Sequence, residues 1–328
     1  METEQSQQKT LKNRYTEADG SAVYLLAVVG LLAVNLLVGI VAGIVSGSGG
    51  KNPIDNGYFN YAVMIVMQAV NFGAVALWLK RKNTRPDYSL YNRPWLPSLA
   101  VCVVIGVVCL FGFYGLAYAF ELLLETFHYQ GQTNIPFNSS GEIVLGTIVT
   151  VLIAPFCEEL VYRDALLSGL KRGFPTWAAI LLSGAAFSLM HMNPQQTVYQ
   201  FILGCTCAAV VVFSGSPWGA MVIHAASNLL AVLIETTAFG PAFGGFIEAI
   251  SISGGMTALW IIVSAVLGAG AIFGLVLLIR RFTPAPKERE YLPLDPLRES
   301  GGMLGKKSGK LFLCIGLGVC LLMWIIVA

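Results

Sequence analysis

The chain has 328 residues and a formal net charge of +2, and only 12% of its residues are Asp, Glu, Lys or Arg. Soluble domains carry about 25% charged residues, so these charges cannot cover a water-soluble globule of this size. The composition indicates a polytopic membrane protein with the lipid bilayer as its solvent, and it offers no basic surface for nucleic acid.

Residues 1–21, beginning METEQSQQKTLKNRYTEADG, are polar throughout. A cleaved signal peptide has a short basic start and a small-residue exit, so this segment reads as a cytoplasmic tail before a retained first helix. Nine apolar segments follow, at 22–46, 59–79, 96–123, 142–162, 175–192, 196–213, 217–238, 257–280 and 310–328. Each is long enough, or nearly so, to cross about 30 Å of hydrocarbon at 1.5 Å per residue. The fifth and sixth are short and joined by a tight NPQQ turn, which keeps eight spans open. The expected fold class is therefore all-α, a polytopic transmembrane helical bundle of eight to nine spans.

Cytoplasmic loops carry an excess of Lys and Arg. With nine spans and the N-terminus inside, all of the 20 basic residues except Lys51 fall on one side. That asymmetry predicts a cytoplasmic N-terminus and a C-terminus outside. The segment 281–309 holds four prolines and many of the basic residues, and reads as a cytoplasmic linker near anionic lipid or as a plain solvated tether. It separates a membrane domain at 22–280 from an appended last helix at 310–328. Asn138-Ser139-Ser140 is a weak glycosylation sequon, and Ser139-x-x-Glu142 has the spacing of a capping box. The seven cysteines lie in or beside apolar runs without paired spacing and read as packing residues.

Ionisable groups inside a bilayer are expensive, and each is by default a functional candidate. His128 falls in an outer loop, and Glu235 and Glu248 fall near the outer interface. The rest concentrate in one region. Glu158, Glu159, Arg163 and Asp164 lie at the end of the fourth span, His191 on the fifth, and His224 and Asn228 on the seventh. Glu159 and Arg163 are four apart with the acid on the N-terminal side, the better order for an ion pair. Glu158 is turned by about 100° from its neighbour and can face elsewhere. The favoured assignment has Glu158 facing a cavity, and the reverse stays open. Asp164 is expected at the cytoplasmic headgroups with Lys171 and Arg172. Pro155 breaks the fourth helix just before the glutamates, freeing backbone groups. Taken singly, an acid–arginine pair is a topological anchor and a lone His or Asn is helix glue. Together, a carboxylate and two imidazoles on separate helices can hold and activate a water for hydrolysis.

The ordered set Glu158-Glu159-x-x-x-Arg163, Phe187-x-x-x-His191 and His224-x-x-x-Asn228 resembles the motifs of the CPBP family of intramembrane proteases. That family includes type II CAAX prenyl endopeptidases and the bacteriocin-processing or self-immunity Abi proteins. The resemblance covers about 142–238, a CPBP-type core. It implies that Glu158 activates water with His191, that His224 and Asn228 stabilise the oxyanion, and that Glu159, Arg163 and Phe187 support them. It implies a peptide or membrane-protein substrate, lipidated or carrying a leader. Glu158, His191 and His224 would also make a three-ligand zinc set, so Zn stays open as a cofactor, with a metal-free glutamate mechanism slightly favoured. No H-E-x-x-H, G-x-S-G or G-x-G-D motif occurs. A non-proteolytic Abi-like scaffold is the alternative function. A transporter fits less well, because the polar residues crowd into one half.

Helix rise raises one difficulty. If the fifth helix starts at Pro175 on the inner face, His191 lies about 24 Å along it, whereas His224 is about 10 Å into the seventh. The site closes if the fifth helix begins above the membrane or is strongly tilted, or if the seventh starts deeper, and Glu158, His191, His224 and Asn228 are expected to cluster around one water-accessible cavity.

Overall fold

The computed structural model describes residues 15–82, 86–88, 94, 96–129, 137, 139–250, 253–283 and 306–327. Residues 1–14 of the expected tail, residues 284–305 of the expected linker, and Asn138 of the sequon lie outside them. The described residues form α-helices and no strand. In chain order these are α1 Glu17–Gly47, α2 Gly57–Lys82, α3 Leu96–Thr126, α4 Ser140–Gly173, α5 Thr176–Met190, α6 Thr197–Ser214, α7 Trp218–Thr236, α8 Phe239–Ile250, α9 Gly254–Phe282 and α10 Lys306–Val327. Eight are long and apolar enough to cross a bilayer, and α5 is a shorter apolar helix. The protein is a polytopic helical membrane bundle.

Two boundaries differ from expectation. The first helix begins at Glu17 rather than at residue 22, because Thr16 and Asp19 close a capping box. The Thr16 hydroxyl accepts the Asp19 N–H at 3.3 Å, and the Asp19 carboxylate accepts the Thr16 N–H at 2.9 Å. The fourth helix does not stop at residue 162 but runs to Gly173. Its polar second half is sheltered by protein: α1, α2, α5, α6 and α7 all pack against α4, making it the central helix. The start of α4 follows expectation in part, since Ser139 accepts the Glu142 N–H at 3.3 Å. The short α8 lies where a plain outer loop was expected.

Two stretches of α4, Ile148–Ile153 and Leu160–Leu166, are π-helical. In a π turn each N–H reaches one residue further back, which widens the helix and re-aims side chains. Ala154 bonds to the Val149 carbonyl and Leu167 to that of Tyr162. Glu158 and Glu159 sit on the α-helical turn between these stretches.

Close helix approach depends on glycine. At the α5–α6 crossing, a Cβ on Gly204 would lie 3.0 Å from the Gly184 Cα and 3.2 Å from Phe187. At the α3–α9 crossing, a Cβ on Gly112 would lie 2.8 Å from the Gly268 Cα. Small residues at such contacts let backbones pack where water-driven association is absent. The outward face of α9 presents Leu259, Ile262, Val266, Leu267 and Phe273, all exposed, as a lipid-facing surface requires. The seven cysteines are free thiols.

Candidate active site

The two glutamates of α4 have different surroundings. Glu159 is completely buried, and its Oε1 meets the Arg163 Nη1 at 2.9 Å and the His224 Nδ1 at 3.0 Å. Glu158 keeps 10% of its side chain exposed. Its Oε1 accepts from the Gln68 amide at 2.8 Å, and its Oε2 lies 3.9 Å from the His224 Nε2. Adjacent helical residues point about 100° apart, so one carboxylate binds the scaffold while the other faces the histidine edge.

Arg163 is also fully buried, and the fold supplies it with partners from three helices. Besides Glu159, its Nη2 donates to the Gly204 carbonyl at 3.1 Å, and its guanidinium carbon lies 4.5 Å from the Phe187 ring centre. The tight Gly184–Gly204 crossing brings that carbonyl within reach. A planar guanidinium that combines a carboxylate, a carbonyl and an aromatic face is well matched to a buried site.

Phe187 is the hub of the aromatic packing. Its ring centre lies 4.8 Å from that of His191, 5.4 Å from His224 and 5.2 Å from Tyr162, each edge to face. The Phe187-x-x-x-His191 spacing has a backbone reason as well. His191 caps the C-terminus of α5, where the last carbonyls have no helical donor. Its Nδ1 lies 2.8 Å from the Phe187 carbonyl, which can only accept. Nδ1 therefore carries the proton, and Nε2 of the neutral ring is left as an acceptor. On His224, Nδ1 faces the Glu159 carboxylate and is likewise the donor, so its Nε2 is the atom presented to Glu158.

The axial difficulty does not keep His191 and His224 apart, since both rings pack on Phe187. For Glu158 and His191 the common level is set by the length of α4. Because α4 continues to Gly173, the chain descends about 22 Å beyond Glu158 and rises about the same distance from Thr176 to His191. His191 lies within electrostatic range of both Glu158 and His224.

Asn228 is four residues beyond His224, one turn along α7. Its Nδ2 donates to the Thr150 carbonyl at 2.7 Å. In the π register that carbonyl would receive the N–H of residue 155, which is proline and has none. Asn228 supplies the missing donor from the neighbouring helix. An amide nitrogen carries two hydrogens, so a second donor remains.

Asp164 is enclosed by protein and is not grouped with Lys171 and Arg172. It is 5% exposed, whereas Arg172 pairs with Asp87 at 2.5 Å and Lys171 donates to Thr176. The extension of α4 beneath α1 and α2 draws Asp164 inside. Gln68, which holds Glu158, was missed in the sequence. Its signal is a pair of carboxamides, Gln68 and Asn71, three apart in the otherwise apolar stretch 61–79 of α2. Counting ionisable groups alone passes over them. Glu235, Glu248 and His128 are exposed, apart from the cluster.

The zinc set fits poorly. Among the described residues no three His, Cys, Asp or Glu side chains are arranged to hold a metal ion. Glu158, His191 and His224 are neighbours without forming a ligand triangle.

Residues 140–230 match the family described as Rce1-like, type II CAAX prenyl endopeptidase. This stretch contains every motif residue from Glu158 to Asn228. No curated protein and no solved structure matches the chain at a significant level.

Proposed function

We propose that this polytopic membrane protein, Rce1-like over residues 140–230, is an intramembrane endopeptidase that hydrolyses a peptide bond with a water activated by Glu158. The observation that carries the reading is the asymmetry of the glutamates. Glu159 is sealed and committed to Arg163 and His224, whereas Glu158 keeps an exposed edge facing the His224 Nε2 at 3.9 Å. A gap of that width suits a water hydrogen-bonded to both groups.

Glu158 takes a proton from this water as the hydroxide adds to the peptide carbonyl, and the His191 Nε2 accepts the second water hydrogen and orients it. Negative charge then develops on the carbonyl oxygen. The free N–H of Asn228 and the His224 imidazole, when protonated at Nε2, are the donors on that side. Glu159 holds the His224 ring through Nδ1, and the Arg163 guanidinium meets the same carboxylate oxygen. Protonated Glu158 finally donates to the leaving amine, which returns the site to its starting state.

The substrate class that follows from a site inside a bundle is a membrane-associated peptide, either lipidated or the leader or segment of another membrane protein. The basic-residue asymmetry supports a cytoplasmic N-terminus and an outside C-terminus. The test is cleavage of membrane-associated peptides by purified protein, beside Glu158→Gln and with a chelator. Loss in Glu158→Gln with no effect of chelation is the expected result. Loss on chelation overturns the metal-free route. Activity in Glu158→Gln overturns the assignment of the base. No cleavage by intact protein leaves the non-proteolytic scaffold as the better reading.

A further inference from the structure

Glu158 must be held in one orientation to meet a water, and none of the family-matched residues 140–230 is seen to hydrogen-bond its Oε1. The group that does so comes from α2. Gln68 is 6% exposed and donates from Nε2 to Oε1 at 2.8 Å. The direction of that bond is fixed from behind. Asn71, 1% exposed and three residues further along the same face, donates from Nδ2 to the Gln68 Oε1 at 3.0 Å. An ionised carboxylate only accepts, so the Gln68 nitrogen faces Glu158 and its oxygen faces Asn71. The chain Asn71 to Gln68 to Glu158 is a one-way relay of donors ending on the base. With Oε1 held, the other oxygen is left facing His224.

We infer that Gln68 is a positioning residue for Glu158, locked in donor orientation by Asn71, and that α2, outside the Rce1-like stretch, is part of the catalytic apparatus. This rests on the proteolytic reading above. A hydrogen bond to a charged partner is stronger than one between neutral groups, and outer partners that orient reacting groups commonly control rates. Gln68 has no contact with the reacting atoms other than through Glu158, so its loss acts on turnover and not on substrate binding.

The experiment compares steady-state cleavage by intact protein, Gln68→Met and Glu158→Gln, with thermal unfolding of each in the same detergent. Methionine keeps the length of glutamine and removes the donor. The expected result is a fall in kcat of roughly 10- to 100-fold with KM within about twofold of wild type. Glu158→Gln should have no measurable turnover. Wild-type kcat in Gln68→Met, or a KM change in place of a kcat change, overturns the inference while Glu158→Gln leaves the protease reading standing. Activity in Glu158→Gln, or none in the intact protein, overturns both. If Gln68→Met does not fold, Asn71→Leu carries the test, because it frees the Gln68 amide to turn over and leaves every group touching Glu158 in place. Its expected effect is a kcat loss of about threefold to tenfold. Wild-type kinetics there overturn the inference.

Discussion

Asn228 donates an amide hydrogen to the Thr150 carbonyl, the backbone group for which Pro155 offers no partner in the π register. A helix irregularity and a motif residue on a different helix are therefore two halves of one contact. Losing the Asn228 side chain leaves that carbonyl buried and unpaired, so Asn228→Ala should destabilise the protein by about 1–2 kcal/mol. Restoring an N–H with Pro155→Ala should recover part of this loss in the double variant. Thermal unfolding of the three variants in one detergent measures the coupling, and strict additivity would contradict it.

The adjacent glutamates should separate stability from turnover. Glu158→Gln is expected to abolish cleavage with little change in unfolding temperature, since the Gln68 amide can still donate to the oxygen of the new side chain. Glu159→Gln leaves Arg163 buried without a counter-charge, and should cost about 3–5 kcal/mol as well as activity. Equal stability of the two variants would overturn this division of labour.

At the α5–α6 crossing, Gly204→Val should be damaging, because even a Cβ would press the Gly184 backbone and the Phe187 ring. The expected loss is about 1–3 kcal/mol, with turnover falling as Phe187 moves from between the two histidines. Gly39→Ala, in open space on α1, is the control and should be silent in both assays.

Orientation is checked with reporters. Fusion of a reporter active only outside the cytoplasm should give signal at the C-terminus and none at the N-terminus. The informative helix is α5, whose 15 residues amount to roughly 22 Å. If it did not cross, both termini would report from the same side.

The apolar bundle was legible because hydropathy depends only on residue type, and the acid, imidazole and amide motif stood out as polar groups in apolar runs. Their meeting around Phe187 was harder to read. Helix rise alone left the levels of His191 and His224 open, and sequence hides the run of α4 to Gly173 because Arg163 and Asp164 look like the end of a span. Arg163 is covered by Phe187 of α5 and Gly204 of α6, and α1 and α2 pack along the stretch that holds both residues, which is tertiary information. The π stretches were equally hidden, since the same residues suit an α-helix. Pro155 was recognised as a break, but its partner Asn228 lies on another helix. Gln68 carried no charge and so drew no notice.

Arg163 has a further consequence, concerning how the chain is made. Its counter-ion Glu159 is on the same helix, but its carbonyl acceptor at Gly204 and its aromatic cover at Phe187 come later in the chain. A nascent α4 therefore reaches the insertion machinery holding a guanidinium whose remaining solvation has not yet been translated. A lone arginine at the centre of a span costs about 2.5–3.5 kcal/mol to insert. The α5–α6 hairpin is thus a folding companion for α4, and a ribosome paused before residue 204 would leave that helix incompletely solvated at the membrane.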